Sequence, residues 1–307
     1  MAVNRTEQLN EGARGLDCQP PHHIAVLLAK AQEEAAAVVA SSSNDIAAAA
    51  DLIADALGQG GRLAYAAAGS SGLMALADAL ELPGTFGIPR DRIIVLLAGG
   101  VASLTNLTGA PEDDPEQGVR DVSSAELVSG DCLIAVSASG STPYAVGALR
   151  AAKDRGLKTI AIANNPGAPI LEEADIGILL ATPPEIIAGS TRMGAGTAQK
   201  IALNLLSTLA AIRLGHVHDG YMVNLHADNR KLKARAARIV AAIANCGEAE
   251  AQACLEQTGG SVKPAVLLAA GAADLATALR LLDGNGQKLR SALSELEGNR
   301  GSRQQRA

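Results

Sequence analysis

Between residues 62 and 181 the chain alternates two patterns of hydrophobicity. Short apolar runs, Arg62–Ala67, Arg92–Ala98, Asp131–Val136, Leu157–Ala163 and Ile176–Ala181, are continuous, partly β-branched, and bounded by Gly, Pro or Asn. Runs of that kind suit strands buried on both faces of a parallel sheet. Between them lie stretches of helical period, Ser71–Leu82, Pro115–Leu127, Thr142–Arg155 and Ala168–Ala174. The repetition predicts an α/β fold with a doubly wound parallel sheet, whose ligands sit at the carboxyl ends of the strands.

The flanking patterns differ. Residues 1–20 are polar and run into Gln19-Pro20-Pro21, which predicts an extended arm. Helical periodicity follows over Ile24–Ala40 and again through Ile46, Ala50, Ile53 and Leu57, with Ser43 or Asn44 able to cap the second helix. Beyond residue 190 no strand pattern is visible. Gly194–Leu214 reads as a long buried helix and Gly220–Ala244 as a more charged one, through Lys231, Lys233, Arg235 and Arg238. Glu248–Gln257, Val262–Ala270, Ala273–Leu282 and Gln287–Leu296 predict a small helical bundle. The expected division is an arm and helix over 1–44, a sheet domain over 45–218, a helical C-terminal region over 219–298 and a disordered tail over 299–307.

Composition sharpens this picture. The chain has 307 residues, 48% of them hydrophobic, enough for a packed core, but aromatics make only 1%. The core must therefore be built from Ala, Leu, Ile and Val. Net charge is −6, and neither a basic patch nor an aromatic platform is present, which argues against nucleic acid as a partner. Any anion must be held by local groups. Cys18, Cys132, Cys246 and Cys254 are scattered and form no metal-ligand spacing, as expected of reduced thiols in a cytoplasm. The polar opening MAVNRTEQLNEGARG is unlike a secretory signal, and no apolar run reaches the roughly 18 residues of a membrane span. His216-Val217-His218-Asp219 is too short a grouping to suggest a metal, so none is expected.

Chemistry concentrates in three small-residue loops. Ala68-Gly69-Ser70-Ser71-Gly72 follows the first strand, Ser137-Ala138-Ser139-Gly140-Ser141-Thr142 follows the third, and Gly189-Ser190-Thr191-Arg192 precedes the long helix. Ser and Gly are ordinary turn and capping residues. Recurrence after two strands of one sheet points further, because free N–H groups at a helix start, close-approaching glycine backbone and hydroxyl donors together suit a phosphate monoester. The first loop lacks the spacing of a dinucleotide fingerprint, and no Walker-A loop is present.

The Ser137–Thr142 segment resembles the phosphate loop of sugar isomerase (SIS) domains, and the chain as a whole resembles the N-acetylmuramic acid 6-phosphate etherases. The likeness is carried by Asp78-Ala79-Leu80-Glu81-Leu82-Pro83-Gly84-Thr85-Phe86-Gly87, by Ala98-Gly99-Gly100 with Glu112-Asp113, by Gly189-Ser190-Thr191-Arg192 continuing to Gly196-Thr197-Ala198-Gln199-Lys200, by Val262-Lys263-Pro264-Ala265, and by Thr6-Glu7 and Asn10 near the start. The resemblance implies an SIS phosphosugar-binding domain over 45–218 and a homodimeric cytoplasmic enzyme without metal or organic cofactor. Such an enzyme cleaves the D-lactyl ether of its substrate to give N-acetylglucosamine 6-phosphate and D-lactate in cell-wall sugar recycling. It implies Glu81 as general acid and Glu112 as general base. Ser70, Ser71, Gly72, Ser137, Ser139, Gly140, Thr142, Ser190 and Thr191 would hold the sugar phosphate, with Arg192 and Lys200 as further sources of charge.

Two carboxyls suit that chemistry. Opening the sugar ring exposes an aldehyde that acidifies the C2 proton; a base removes it and an acid protonates the departing ether oxygen, so one group must be ionised while the other holds a proton. Glu81 stands in an apolar setting and Glu112 in an acidic cluster. Four positions depart from the family pattern: Ala67 for Gly and Leu73 for Arg in and after the first loop, Leu80 for the Ser before the acid, and Ser141 for an Arg. The residues also leave open a non-catalytic phosphosugar-binding regulator and an aldose–ketose isomerase, the latter with His226 as a candidate base.

Overall fold

The computed structural model describes residues 4–105, 109–225 and 230–304. Two compact units are present, one of Met1–Leu80 with Arg90–Ala210 and one of Glu81–Pro89 with Ala211–Ala307.

The first unit opens with three single 3-10 turns, Arg5–Glu7, Glu11–Ala13 and Leu16–Cys18, where an extended arm is expected. Helices α1 (Pro21–Ala37) and α2 (Ser43–Gly58) follow. Five strands then form the sheet: β1 (Leu63–Ala67), β2 (Ile93–Leu97), β3 (Cys132–Val136), β4 (Lys158–Ala163) and β5 (Ile176–Leu179). All neighbours are parallel and the order is β2-β1-β3-β4-β5. Each lies within a run predicted from the sequence. Between strands come α3 (Gly69–Phe86), α4 (Pro115–Ser124), α5 (Pro143–Asp154) and α6 (Pro169–Glu173), and α7 (Gly194–Arg213) follows.

The two sheet faces are built differently. Ala64, Ala66, Leu133, Ala135, Ala161 and Ala163 pack with Val122 of α4 and Ala145, Ala148, Leu149 and Ala152 of α5. Their small side chains let the helices settle close to the strands. α4 and α5 also meet through glycine, since a Cβ on Gly118 would stand 2.3 Å from Tyr144 O and one on Gly147 2.3 Å from Pro115 O. The opposite face carries Tyr65, whose hydroxyl donates to Asp78 Oδ2 at 2.9 Å on α3. Asp78 Oδ1 in turn accepts from Asn204 Nδ2 at 2.7 Å and Ser207 Oγ at 2.9 Å on α7. With desolvation the largest cause, the carboxyl of buried Asp78 is raised above its ordinary pKa. The three donors make its burial tolerable. The fold is thus the expected doubly wound α/β sheet, and its order reverses direction at β1, so the loops after β1 and β3 part there and leave a crevice.

In the second unit the expected absence of strands fails on a small scale. Val217–His218 (β6) and Tyr221–Met222 (β7) form a two-stranded antiparallel hairpin. The turn is made by Asp219 and Gly220, both at positive φ. A helix beginning at Gly220 is thereby precluded, and α8 is Arg230–Ala244. α9 (Glu248–Gln257), α10 (Val262–Ala269), α11 (Leu275–Gly284) and α12 (Leu289–Gln304) complete a bundle around Val240, Leu255, Val266, Leu282 and Leu289. α12 extends to Gln304, and the rest of the expected tail, 305–307, lies outside the described residues. Among the described residues no helix is long and apolar enough to cross a membrane.

Candidate active site

The crevice at the β1/β3 divergence is a cavity of about 320 Å³, entirely within the first unit. Gly69, Ser70 and Ser71 line it from the start of α3, and Ser137, Ser139 and Thr142 from the loop leading into α5. Gly189 and Thr191 contribute from the third loop, and Thr6, Glu7 and Glu112 close the remaining sides. Two helix starts therefore meet at one opening, where their unsatisfied N–H groups and dipoles favour an anion.

The β3 loop holds its hydroxyls in a fixed pattern. Ser137 Oγ lies 2.8 Å from Thr142 Oγ1 and 3.3 Å from Ser139 Oγ. Gly140 N donates to Ser137 Oγ at 3.0 Å, and Ser141 N to Ser139 Oγ at 3.2 Å. Gly140 has φ +73°, and a Cβ there would stand 2.3 Å from Ala168 Cβ, so only glycine closes this turn. Gly140 and Gly72 shape their loops without lining the cavity.

Glu112 sits on the last residues of the short turn Ala110–Asp113, half-buried, against the β1 loop. A Cβ built on Gly69 would stand 2.7 Å from its Oε1. Gly69 also has φ +51°, so glycine serves both the turn and the approach of the carboxylate. Desolvation, and then the charge of Asp113, raise the Glu112 pKa above the ordinary carboxylate value. A partly desolvated carboxyl beside a cluster of hydroxyls is equipped to take a proton from carbon.

Other expected site residues fall elsewhere. Glu81 is exposed on α3 and is not among the residues lining the cavity. Ser190, Arg192 and Lys200 do not line it either, and among the described residues no Lys or Arg does. The start of α7 differs from those of α3 and α5. The amides of Gly194 and Ala195 donate to Glu185 Oε2 and Oε1 at 2.9 and 2.8 Å, so this helix end already holds a buried carboxylate of its own. His226 lies outside the described residues. His216 is largely buried, its pKa lowered to about 4 chiefly by desolvation, and it stays neutral near pH 7.

Sequence reasoning assigned no role to three polar groups. Asn165, nearly fully buried, donates from Nδ2 to Thr6 Oγ1 at 3.1 Å and to Ala138 O at 3.1 Å, fastening residues 4–7 to the β3 loop. Glu185 caps α7. Glu7 faces the cavity. A carboxylate or amide among small apolar residues gives no periodic signal, and only the Thr6-Glu7 pair stood out, through the family resemblance.

Comparison with known proteins bears on the same region. The SIS domain model matches residues 28–164. Among curated relatives, N-acetylmuramic acid 6-phosphate etherases from Yersinia pestis (strain Pestoides F) and Yersinia pseudotuberculosis (serotype O:3, strain YPIII) are each 47% identical over 222 residues, covering 72% of this chain and 75% of theirs. This chain belongs to the N-acetylmuramic acid 6-phosphate etherase family. Among solved structures, a phosphoheptose isomerase from Francisella tularensis is 20% identical with a TM-score of 0.48, covering 63% of this chain and 98% of that one. For an etherase-family chain, two of the four departures lie on exposed helix surface: Leu73 and Leu80 are 37% and 56% exposed on α3.

Proposed function

We propose that this protein is a lyase that cleaves the D-lactyl ether of N-acetylmuramic acid 6-phosphate to N-acetylglucosamine 6-phosphate and D-lactate. The observation that carries this reading is the half-buried Glu112, held against Gly69 in a hydroxyl-lined cavity, in a chain 47% identical to etherases. The 6-phosphate rests on Ser71, Ser137, Ser139 and Thr142, while Ser70 and Thr191 line the rest of the substrate cavity. With the sugar ring open, Glu112 takes the C2 proton, and the electron pair delocalises onto the C1 aldehyde. The C3–oxygen bond then breaks as Glu81 gives its proton to the leaving lactyl oxygen. Water adds across the C2–C3 double bond, hydroxyl to C3 and proton to C2, and the two glutamates return to their starting states.

Glu81 is exposed and outside the cavity lining, and the reading we favour is that a second copy of the chain presents it as the acid. A homodimer has a surface available. Leu73, Ala77 and Leu80 lie on one exposed stripe of α3, and Leu205 and Leu209 on one of α7. Asp78 joins the two helices by its bonds to Asn204 and Ser207. An apolar stripe across two adjoining helices is normally covered. Free thiols at all four cysteines support a reducing cytoplasmic setting.

The test is D-lactate release from N-acetylmuramic acid 6-phosphate, followed with a coupled dehydrogenase. Wild-type protein releases lactate, and Glu112→Gln lowers kcat by about 10²–10⁴-fold, as expected for loss of a general base. Tight sugar-phosphate binding without lactate would instead identify a regulator, and ketose formation without lactate an isomerase.

A further inference from the structure

The segment Thr6-Glu7…Asn10 is built into the cavity wall, yet the reaction above gives it no part. Its anchoring is specific. Thr6 is 3% exposed; its N–H donates to Asn165 Oδ1 at 3.2 Å, its hydroxyl accepts from Asn165 Nδ2, and its carbonyl accepts from Gly189 N at 3.0 Å. Asn10 Nδ2 donates to Pro184 O at 2.8 Å. Fastening at Thr6 within the 3-10 turn Arg5–Glu7 and at Asn10 beyond it holds Thr6 inward and leaves Glu7 as a cavity wall, close over Gly189, where a Cβ would meet its Oε2 at 3.1 Å. Four hydrogen bonds that cross the chain from residues 6 and 10 to residues 165, 184 and 189 are more than a surface tail requires.

A carboxylate in a phosphate-binding cavity must face something other than the phosphate, since like charges at short range oppose binding. The phosphate end is defined by hydroxyls and helix starts. The complementary end of a sugar phosphate carries neutral hydroxyl groups, which are donors, and a carboxylate is an acceptor-only group able to take two of them in short charge-assisted bonds. We propose that Glu7 is a specificity-determining residue, accepting hydrogen bonds from sugar hydroxyls remote from the phosphate. A site built to accept from substrate hydroxyls rejects ligands that lack them. This deepens the etherase reading and rests on its sugar-phosphate cavity, though not on the ether cleavage itself.

The test compares Glu7→Gln with wild type by calorimetric titration of two probes, N-acetylglucosamine 6-phosphate and inorganic phosphate. The amide keeps the size of the side chain but removes its charge and one of its two acceptor oxygens. The expected result is a 10- to 100-fold loss of affinity for the sugar phosphate, with inorganic phosphate binding unchanged or tighter. Glu7→Asp recovers part of the loss, and KM rises more than kcat falls. Equal loss for both probes would mean that the segment only props the loop, and unchanged affinity for both would mean that Glu7 touches no ligand; either overturns the proposal. Wild-type protein that binds phosphate but no sugar phosphate also overturns it. Wild-type protein that binds the sugar phosphate yet releases no lactate overturns the etherase reading alone and leaves the two-probe comparison decisive.

Discussion

In the proposed mechanism Glu112 is the general base, and its environment fixes a pH dependence. A general base works ionised, so kcat/KM falls as pH drops through its pKa. Desolvation in the cavity and the neighbouring Asp113 both raise that pKa. The acid limb of the pH profile is therefore expected at higher pH than for a free glutamate. Asp113→Asn removes the second cause and moves the limb toward lower pH, while Gln at 112 abolishes the limb together with most of the activity. A profile whose acid limb ignores Asp113→Asn would assign it to another group. Gly69 belongs to the same unit of design. Alanine there meets Glu112 Oε1 and an unfavourable φ, so Gly69→Ala should lower kcat/KM by roughly tenfold or more through misplacement of the base.

At the scale of elements, the small-residue composition becomes legible as helix spacing. Gly147 is inside α5, where a Gly to Ala change ordinarily adds about 1 kcal/mol of helix stability. Here the added methyl would stand 2.3 Å from Pro115 O on α4, a backbone atom with no room to give. The sign reverses. Gly147→Ala is expected to destabilise by about 1–3 kcal/mol, as overpacking does, read as a lowered midpoint in urea. α3 shows a related override of local preference. Pro83 predicts a stop near Leu82, but the helix runs to Phe86. Beyond the proline, Asn224 Nδ2 donates to Phe86 O at 3.0 Å and satisfies one of the carbonyls left at the helix end.

For the whole molecule, the decisive question is which copy supplies which glutamate. If Glu112 and Glu81 of one site come from different copies, Glu81→Gln and Glu112→Gln proteins are each inactive, but mixed and allowed to exchange they form heterodimers with one intact site. Random exchange then restores about a quarter of wild-type activity. No recovery on mixing would show both glutamates acting from one chain, or Glu81 not acting. Charges on the proposed interface should separate the copies. Leu205→Glu combined with Leu209→Glu is expected to sediment as a monomer and to lose lactate release.

The sequence by itself determined the five strands and most helices, because continuous apolar runs and 3.6-residue periodicity are local patterns that burial imposes along the chain. It also determined the hydroxyl-rich loops after β1 and β3, since their composition is legible residue by residue. Tertiary structure alone decided what those loops meet. The strand order brings the β1 and β3 loops to one crevice, Asn165 draws Thr6 and Glu7 into its wall from nearly 160 positions away in sequence, and Glu185 occupies the start of α7, the helix that the third small-residue loop precedes. Glu81 and Glu112 looked alike as family matches, yet only Glu112 reached the cavity. Such contacts depend on through-space partners whose separation along the chain leaves no periodic trace.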